Sequence, residues 1–147
     1  MTNTHVQEMK KYLRSYRSLR REVIRLRAQL SDLERSIRLP ALHMECGSPK
    51  GVRMQAERRR KALAERMEKM LKRCREVEEI IDRTEGPSAD KTLLYREILR
   101  LRYLDGLTFC AIADQLHYTD RHVRRLHREG LAAAAALWKG EGADGLE

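Results

Sequence analysis

The feature that most constrains the fold is an apolar residue at every third or fourth position from Met9 to Ile37. The alternation runs unbroken over about four heptads, as expected of a helix that buries one stripe against another helix. Its members are Met9, Tyr12, Tyr16, Leu19, Val23, Leu26, Leu30, Leu33 and Ile37. The sequence therefore predicts a long amphipathic helix over residues 6–39. Pro40 would end it, because proline lacks the backbone N–H and clashes with the preceding turn.

A second apolar series predicts another long helix from about Met54 to Arg83. Its members are Leu63, Met67, Met70, Cys74, Val77 and Ile81. The intervening connector, residues 40–51, contains two prolines and two glycines. Two such helices predict a coiled-coil-like antiparallel hairpin over residues 1–85. Each of these two apolar series forms a seam along its helix. The same seams could also join two chains as a homodimer, and the sequence leaves both arrangements open.

Composition and charge narrow the class of protein. No useful stretch alternates like a strand, and the chain has one Phe and one Trp, so we expect an all-α fold. The net charge of +9 indicates a polyanionic partner, most simply nucleic acid, and no segment is apolar enough to insert into a membrane. The start of the sequence does not resemble a signal peptide, and three dispersed cysteines suit a reducing compartment, so we expect a cytoplasmic protein.

Residues 107–126 predict two short helices around a tight turn. Ile112, Ala113 and Leu116 would form the buried side of the first helix, and Val123 and Leu126 that of the second. Thr108 and Thr119 each precede a helix, where a hydroxyl can accept hydrogen bonds from free backbone N–H groups. A small residue such as Ala113 allows two helices to cross closely, so the segment fits a helix-turn-helix.

The second short helix would present a basic outer face. With Val123 and Leu126 turned inward, a helix with arginines on its other side suits the major groove of double-stranded DNA. An ordinary solvated basic face is the simpler alternative. The predicted DNA-binding residues are Thr119, Asp120, Arg121, His122, Arg124, Arg125 and Arg128. Lys91 and Arg128 are expected nearer phosphates, and His127 at the rim.

Residues 96–106 predict a preceding helix that ends at Gly106 in a left-handed cap. With the helix-turn-helix this gives the segment REILRLRYLDGLTFCAIADQLHYTDRHVRRLHREGL, which resembles region four of the sigma-70 class of RNA polymerase sigma factors. The resemblance covers about residues 93–137. It implies a module that recognises promoter DNA and contacts RNA polymerase. It also places Asp120 at a position that can contact DNA, where its carboxylate could accept from a cytosine amine.

Two positions depart from the family pattern. His117 stands where a glycine or small polar residue often makes the turn between the helices, and histidine tolerates positive φ better than most residues. Arg121 occupies a recognition-helix position that is commonly Glu, so a different base preference is expected. The overall architecture is similar to small phage and prophage regulators of the late-gene activator type, which implies a phage-encoded protein acting at the nucleoid of a bacterial host.

The sequence predicts no catalytic, metal or cofactor site. Among the motifs considered, no phosphate-binding glycine loop or nucleophile motif occurs, and the pair His43 and Cys46 lacks the further ligands that a zinc site needs. We therefore expect a transcriptional regulator, with a helix-turn-helix domain at 86–139 and a disordered tail at 140–147. A DNA-packaging oligomer of the small-terminase type and a coiled-coil adaptor or anti-sigma-type protein are the alternatives.

Overall fold

The computed structural model describes residues 3–38 and 49–145, and within these ranges it contains five α-helices and no strand. The helices are α1 (Asn3–Arg38), α2 (Pro49–Arg83), α3 (Ala89–Leu99), α4 (Phe109–Leu116) and α5 (Asp120–Gly145). The chain of α3 continues as a π-helical segment, Arg100–Leu104. The predicted all-α architecture, long helices followed by a helix-turn-helix, is confirmed. None of the described helices is long and apolar enough to cross a membrane.

The long helices α1 and α2 run antiparallel. The Tyr16 hydroxyl donates to the Glu78 carboxylate at 2.5 Å, and Glu22 pairs with Arg66 at 3.7 Å. The partner's number falls along α2 as the residue number rises along α1, so the two helices point in opposite directions. Much of the predicted seam is buried. Its fully covered residues are Met9, Tyr16, Val23, Leu26, Cys74, Val77 and Ile81, and Leu13 joins them.

The connector is shorter than the sequence predicted. Residues 39–48 lie outside the described part of the chain, and with them Pro40, His43 and Cys46. Helix α2 begins at Pro49 rather than near Met54. Proline is accommodated at the first position of a helix, because the N–H that it lacks would have no partner within the helix.

The chain divides into two compact units. One consists of Met1–Ser18 together with Cys74–Glu147, and the other of Leu19–Arg73. The sequence placed a boundary between residues 85 and 86, with the whole hairpin on one side. In the structure the beginning of α1 and the end of α2 belong to the same compact unit as the helix-turn-helix.

A small apolar core holds the C-terminal helices together. Its buried residues come from α3, the π-helical segment, α4 and α5; they are Tyr95, Ile98, Leu101, Ile112, Ala113, Val123 and Leu126. Burying a side chain such as Ile or Leu fully contributes about 1.5–3 kcal/mol relative to leaving it exposed. Every apolar residue assigned to the two short helices contributes to this core, with Leu116 half-buried at its edge.

Helix α5 continues through Gly130 to Gly145. It thus reaches into the segment for which the sequence predicted a disordered tail. Gly130 is buried, and a Cβ there would meet the Tyr95 Cβ at 3.4 Å. Glycine at this position therefore lets α3 and α5 approach closely without interrupting the helix.

The first turns of α1 cover the later part of α5. The His5 ring nitrogen bonds the backbone carbonyl of Ala135 at 2.9 Å, and the Tyr12 ring stacks on Trp138 with centroids 5.0 Å apart. Leu131 and Ala134 are buried in the same region. Trp138 thus packs against α1, and the sequence did not indicate that α1 supplies this opposing surface.

We expect Leu26→Asp to lower the free energy of unfolding by several kcal/mol, about 3 or more, because an unpaired carboxylate would be buried. Leu26 is 3% exposed, whereas Ile24 on the same helix is 63% exposed. Ile24→Asp is therefore the matched control and should change stability little. Chemical denaturation followed by circular dichroism measures both variants, and equal stabilities would show that the Leu26 stripe is not buried.

Candidate nucleic-acid interface

The turn between α4 and α5 is fixed by hydrogen bonds at both helix ends. The Thr108 hydroxyl accepts from the Ala111 N–H at 3.2 Å, and the Thr119 hydroxyl accepts from the His122 N–H at 3.1 Å. Between them, His117 adopts left-handed backbone angles, with φ 61°. The N–H of Tyr118 then donates to the Ala113 carbonyl at 3.0 Å. Both predicted caps and the predicted positive φ at His117 are confirmed.

The turn before α4 also has the predicted form. Gly106 has φ 74°, which is the left-handed cap expected at the end of the preceding helix. The guanidinium of Arg17 lies directly against it, where a Cβ at position 106 would come within 2.3 Å of the Arg17 Cζ. Glycine here serves both the backbone angle and the close approach of Arg17. Arg17 is thus a packing residue as well as a basic one.

The first turns of α5 present a continuous basic face. A shallow open depression on this face is lined by Thr119, Arg121, His122, Arg125 and Arg128. The three arginines are exposed, and His122 is half-buried. Val123 and Leu126 point the other way and are fully buried. The structure therefore brings five of the seven predicted DNA-binding residues together on one surface.

His122 is held in one orientation by its neighbours. Arg125 Nη2 lies 2.9 Å from His122 Nδ1, and the Tyr118 ring packs edge-on against the imidazole at 5.0 Å. A guanidinium has no acceptor, so it donates and Nδ1 accepts. The proton of the neutral ring is then on Nε2, the nitrogen left to donate to another group. The sequence did not reveal the role of Tyr118 in this arrangement.

The remaining two predicted residues, Asp120 and Arg124, are engaged with each other. Arg124 Nε donates to Asp120 Oδ2 at 2.8 Å, and Asp120 Oδ1 lies 3.8 Å from Cys110 Sγ. The Arg124 guanidinium also lies over the Phe109 ring at 4.7 Å, and Arg102 lies against the same ring at 4.3 Å. These contacts place both side chains at the edge of the basic face, towards α4.

Lys91, expected near phosphates, lies beside an acidic residue of α5. Its ammonium is 3.9 Å from Glu129 Oε1, which also accepts from the Tyr95 hydroxyl at 3.4 Å. Burial and the negative charge of Glu129 both raise the pKa of Tyr95. The ion pair of Lys91 and Glu129 joins α3 to α5 at the end of the basic face. The Lys91 side chain is 36% exposed, so it retains a surface towards solvent.

His127 is buried, and its expected position at the rim is wrong. It is 4% exposed, its Nε2 lies 2.7 Å from the Tyr103 hydroxyl, and the Phe109 ring packs edge-on against it at 4.9 Å. The spacing Val123, Leu126, Leu131 could have indicated this, since position 127 lies on the same side of a helix as 123 and 131. Histidine was read as polar, although its ring fills an apolar site when its nitrogens are bonded.

The surroundings of His127 favour its neutral form. Burial lowers the pKa of His127 to about 4, and the positive charges of Lys10, Arg102, Arg14 and Arg124 act in the same direction. Burial likewise raises the pKa of the Tyr103 hydroxyl to about 12. At neutral pH both groups are therefore uncharged, and their hydrogen bond ties the π-helical segment to α5. In the described part of the chain, no three His, Cys, Asp or Glu side chains form a group that could hold a metal ion.

Three helices around a positive-φ turn, with a basic face on the last of them, define a helix-turn-helix of the kind that binds DNA. Comparison with protein families supports this, because residues 95–133 match the family described as Sigma-70, region 4. The match begins within α3 and ends within α5. Comparisons of the chain with curated proteins and with solved structures gave no match.

Acid should destabilise the fold through His127. The unfolded chain protonates this histidine near pH 6.5, whereas the folded protein resists protonation until about pH 4. The neutral His127 thus contributes fully to the free energy of unfolding above pH 6.5. This contribution, about 3 kcal/mol, is lost as the pH falls from 6.5 towards 4. In His127→Gln the free energy of unfolding should therefore fall less between pH 6.5 and pH 4, by about 3 kcal/mol.

The matched control is His117→Asn, which changes an exposed histidine and keeps a residue that tolerates positive φ. This variant gives the reference for the loss of a histidine that is not buried. Urea titrations at half-unit pH steps measure all three proteins. If the free energy of unfolding depended on pH in the same way in the wild type and in His127→Gln, the result would contradict a buried neutral imidazole at position 127.

Proposed function

We propose that the protein is a sequence-specific, double-stranded DNA-binding transcriptional regulator that acts by binding and not by catalysis. The observation that carries this proposal is the face formed by Arg121, His122, Arg125 and Arg128 at the start of α5. Residues in the first turns of a recognition helix are those that contact base edges in the major groove. The match of residues 95–133 to sigma-70 region four supports the same use of this helix.

The face offers hydrogen-bond donors to a ligand. Guanidinium groups only donate, and the acceptor nitrogen of His122 is occupied by Arg125, which leaves Nε2–H as a donor. In the major groove, guanine presents two acceptors, O6 and N7, and arginine binds them in a bidentate manner. We therefore infer a target site in which guanines face Arg121 and Arg125, with His122 donating to a purine N7 or a carbonyl oxygen.

Asp120 and Arg124 have a different proposed role. The Asp120 carboxylate already accepts from Arg124 and lies in the first turn of α5, where the helix dipole favours a negative charge. This engagement leaves little reason to assign it to a cytosine amine. Arg124 and Lys91, at the edges of the basic face, are proposed to contact phosphates. Arg128 is proposed to contact the end of the DNA target site.

The match to sigma-70 region four supports a role at promoters. We propose that the regulator works at promoters, that its helix-turn-helix unit contacts RNA polymerase, and that it is phage- or prophage-encoded and acts at the nucleoid in the bacterial cytoplasm. Homodimer formation through the hairpin is a further proposal. It is supported by Leu30, Leu33 and Ile37, seam residues of α1 that are only half-buried in the single chain.

Selection of bound duplexes from a random pool should yield a site containing guanines. On that site, Arg121→Ala and Arg125→Ala should each lose about 1–3 kcal/mol of discrimination at particular base pairs, because a bidentate contact to guanine is removed. Replacing the contacted guanine by 7-deazaguanine should weaken wild-type binding and leave the corresponding Ala variant unaffected. Fluorescence anisotropy titrations measure these differences.

Arg21→Ala is the control, since Arg21 is an exposed arginine on α1. It should keep the wild-type base preference. Retained discrimination in both Arg121→Ala and Arg125→Ala, with discrimination lost in Arg21→Ala, would show that α5 is not the recognition helix. A wild-type protein that binds no duplex would favour a protein-binding adaptor.

A further inference from the structure

We infer that residues 19–73, the compact unit outside the helix-turn-helix, form a second DNA-binding surface that contacts the phosphate backbone without reading sequence. The inference goes beyond the recognition of a site by α5 and involves other residues. It starts from the distribution of charge between the two units. Phosphate contacts by Lys and Arg supply essentially all of non-specific DNA binding. An excess of these residues outside the helix-turn-helix unit would therefore add non-specific affinity for DNA.

The net charge of the protein lies entirely in the unit Leu19–Arg73. This unit contains sixteen Lys and Arg residues and seven Asp and Glu residues, a balance of +9, which equals the net charge of the whole chain. The unit that contains the helix-turn-helix has fifteen residues of each sign and is formally neutral. A unit with no net charge has less long-range attraction for a polyanion than one with a large excess of positive charge.

Internal ion pairs cannot neutralise the basic unit. Glu22 pairs with Arg25 and Arg66, and Glu57 pairs with Arg60 at 3.1 Å. Even if every acidic residue of the unit were paired once, nine basic residues would remain. A uniform excess of one sign destabilises a compact state through self-repulsion. Such an excess is therefore more readily explained by an external polyanion than by a need for solubility.

Part of this charge forms a regular row. Arg59, Arg66 and Arg73 are seven residues apart on α2 and thus lie on one side of the helix, about 10 Å from one to the next. All three are exposed, and the Arg66 side chain is 62% accessible even though Glu22 is nearby. Guanidinium groups bind phosphate oxygens in a bidentate manner, which suits arginine to backbone contacts.

Nucleic acid fits this surface better than a membrane does. A helix that lies on a membrane buries an apolar face in the lipid and keeps its basic face in the headgroups. In this unit part of the apolar stripe of α1 is directed into the hairpin, where Val23 and Leu26 are buried. The row Arg59, Arg66 and Arg73 consists of exposed guanidinium groups, which bind phosphate, and not of the apolar face that an interfacial helix buries in lipid.

The test uses the full-length protein and a duplex of random sequence. Dissociation constants are measured at salt concentrations from about 50 to about 200 mM for the wild type and for the triple variant Arg59→Gln, Arg66→Gln and Arg73→Gln. Each phosphate contact contributes about 0.9 to the slope of log affinity against log salt, so the Gln variant should have a slope smaller by about 2–3. Circular dichroism confirms that its helices are retained.

The matched variant replaces the same three arginines by lysine. It keeps the positive charges and should keep the wild-type slope. An unchanged slope in the Gln variant would overturn the inference, and so would an equal loss in the Lys variant. Binding to vesicles that contain phosphatidylserine provides a further comparison. If the Gln variant loses vesicle binding while its DNA slope is unchanged, the surface binds lipid and the inference is wrong.

The same measurements separate this inference from the function proposed for α5. The Gln variant should keep the preference for the selected site over scrambled duplexes, because base reading belongs to Arg121 and Arg125. A reduced slope in the Gln variant, with no base preference in any protein, would sustain the backbone contact and overturn sequence-specific recognition. An unchanged slope in the Gln variant, with base preference intact, would overturn the backbone contact and sustain sequence-specific recognition by α5.

Discussion

The close packing of α5 on α3 at Gly130 is the contact on which the rest of the C-terminal unit depends. Because Gly130 has no side chain, Tyr95 lies against the backbone of α5, and the helix passes the crossing without a break. The turns before the crossing carry the basic face, and the turns after it are buried through Leu131 and Ala134. One continuous helix is thus exposed at its start and anchored along its second half, which fixes the direction of the side chains that face a ligand.

The arginines of α5 illustrate how neighbours determine what a charged side chain can do. Arg124 is bonded to Asp120 and lies on Phe109, so its position is set within the protein. Arg125, one residue later, is oriented by His122, whose imidazole carries no negative charge and so leaves the charge of Arg125 uncompensated. A carboxylate and an imidazole within the same turn therefore distinguish an arginine whose charge is partly compensated from one whose charge is fully available to a ligand.

Local features of the fold were predictable from the sequence, and contacts between distant residues were not. The caps at Thr108 and Thr119 and the positive φ at His117 depend on residues a few positions apart, and each was predicted correctly. The burial of His127 depends on Tyr103, which helical periodicity alone does not bring to it. The continuation of α5 beyond Gly130 likewise depends on a tertiary contact, since glycine by propensity alone weakens a helix.

The unit that carries the recognition helix is assembled from two separated stretches, Met1–Ser18 and Cys74–Glu147. During synthesis, the residues of the first stretch emerge from the ribosome well before those of α5 that they cover. His5 bonds Ala135, 130 residues later, so the contact between α1 and α5 cannot form until α5 has been synthesised. Completing this unit therefore requires closure of a long loop, whose entropic cost grows only slowly with its length.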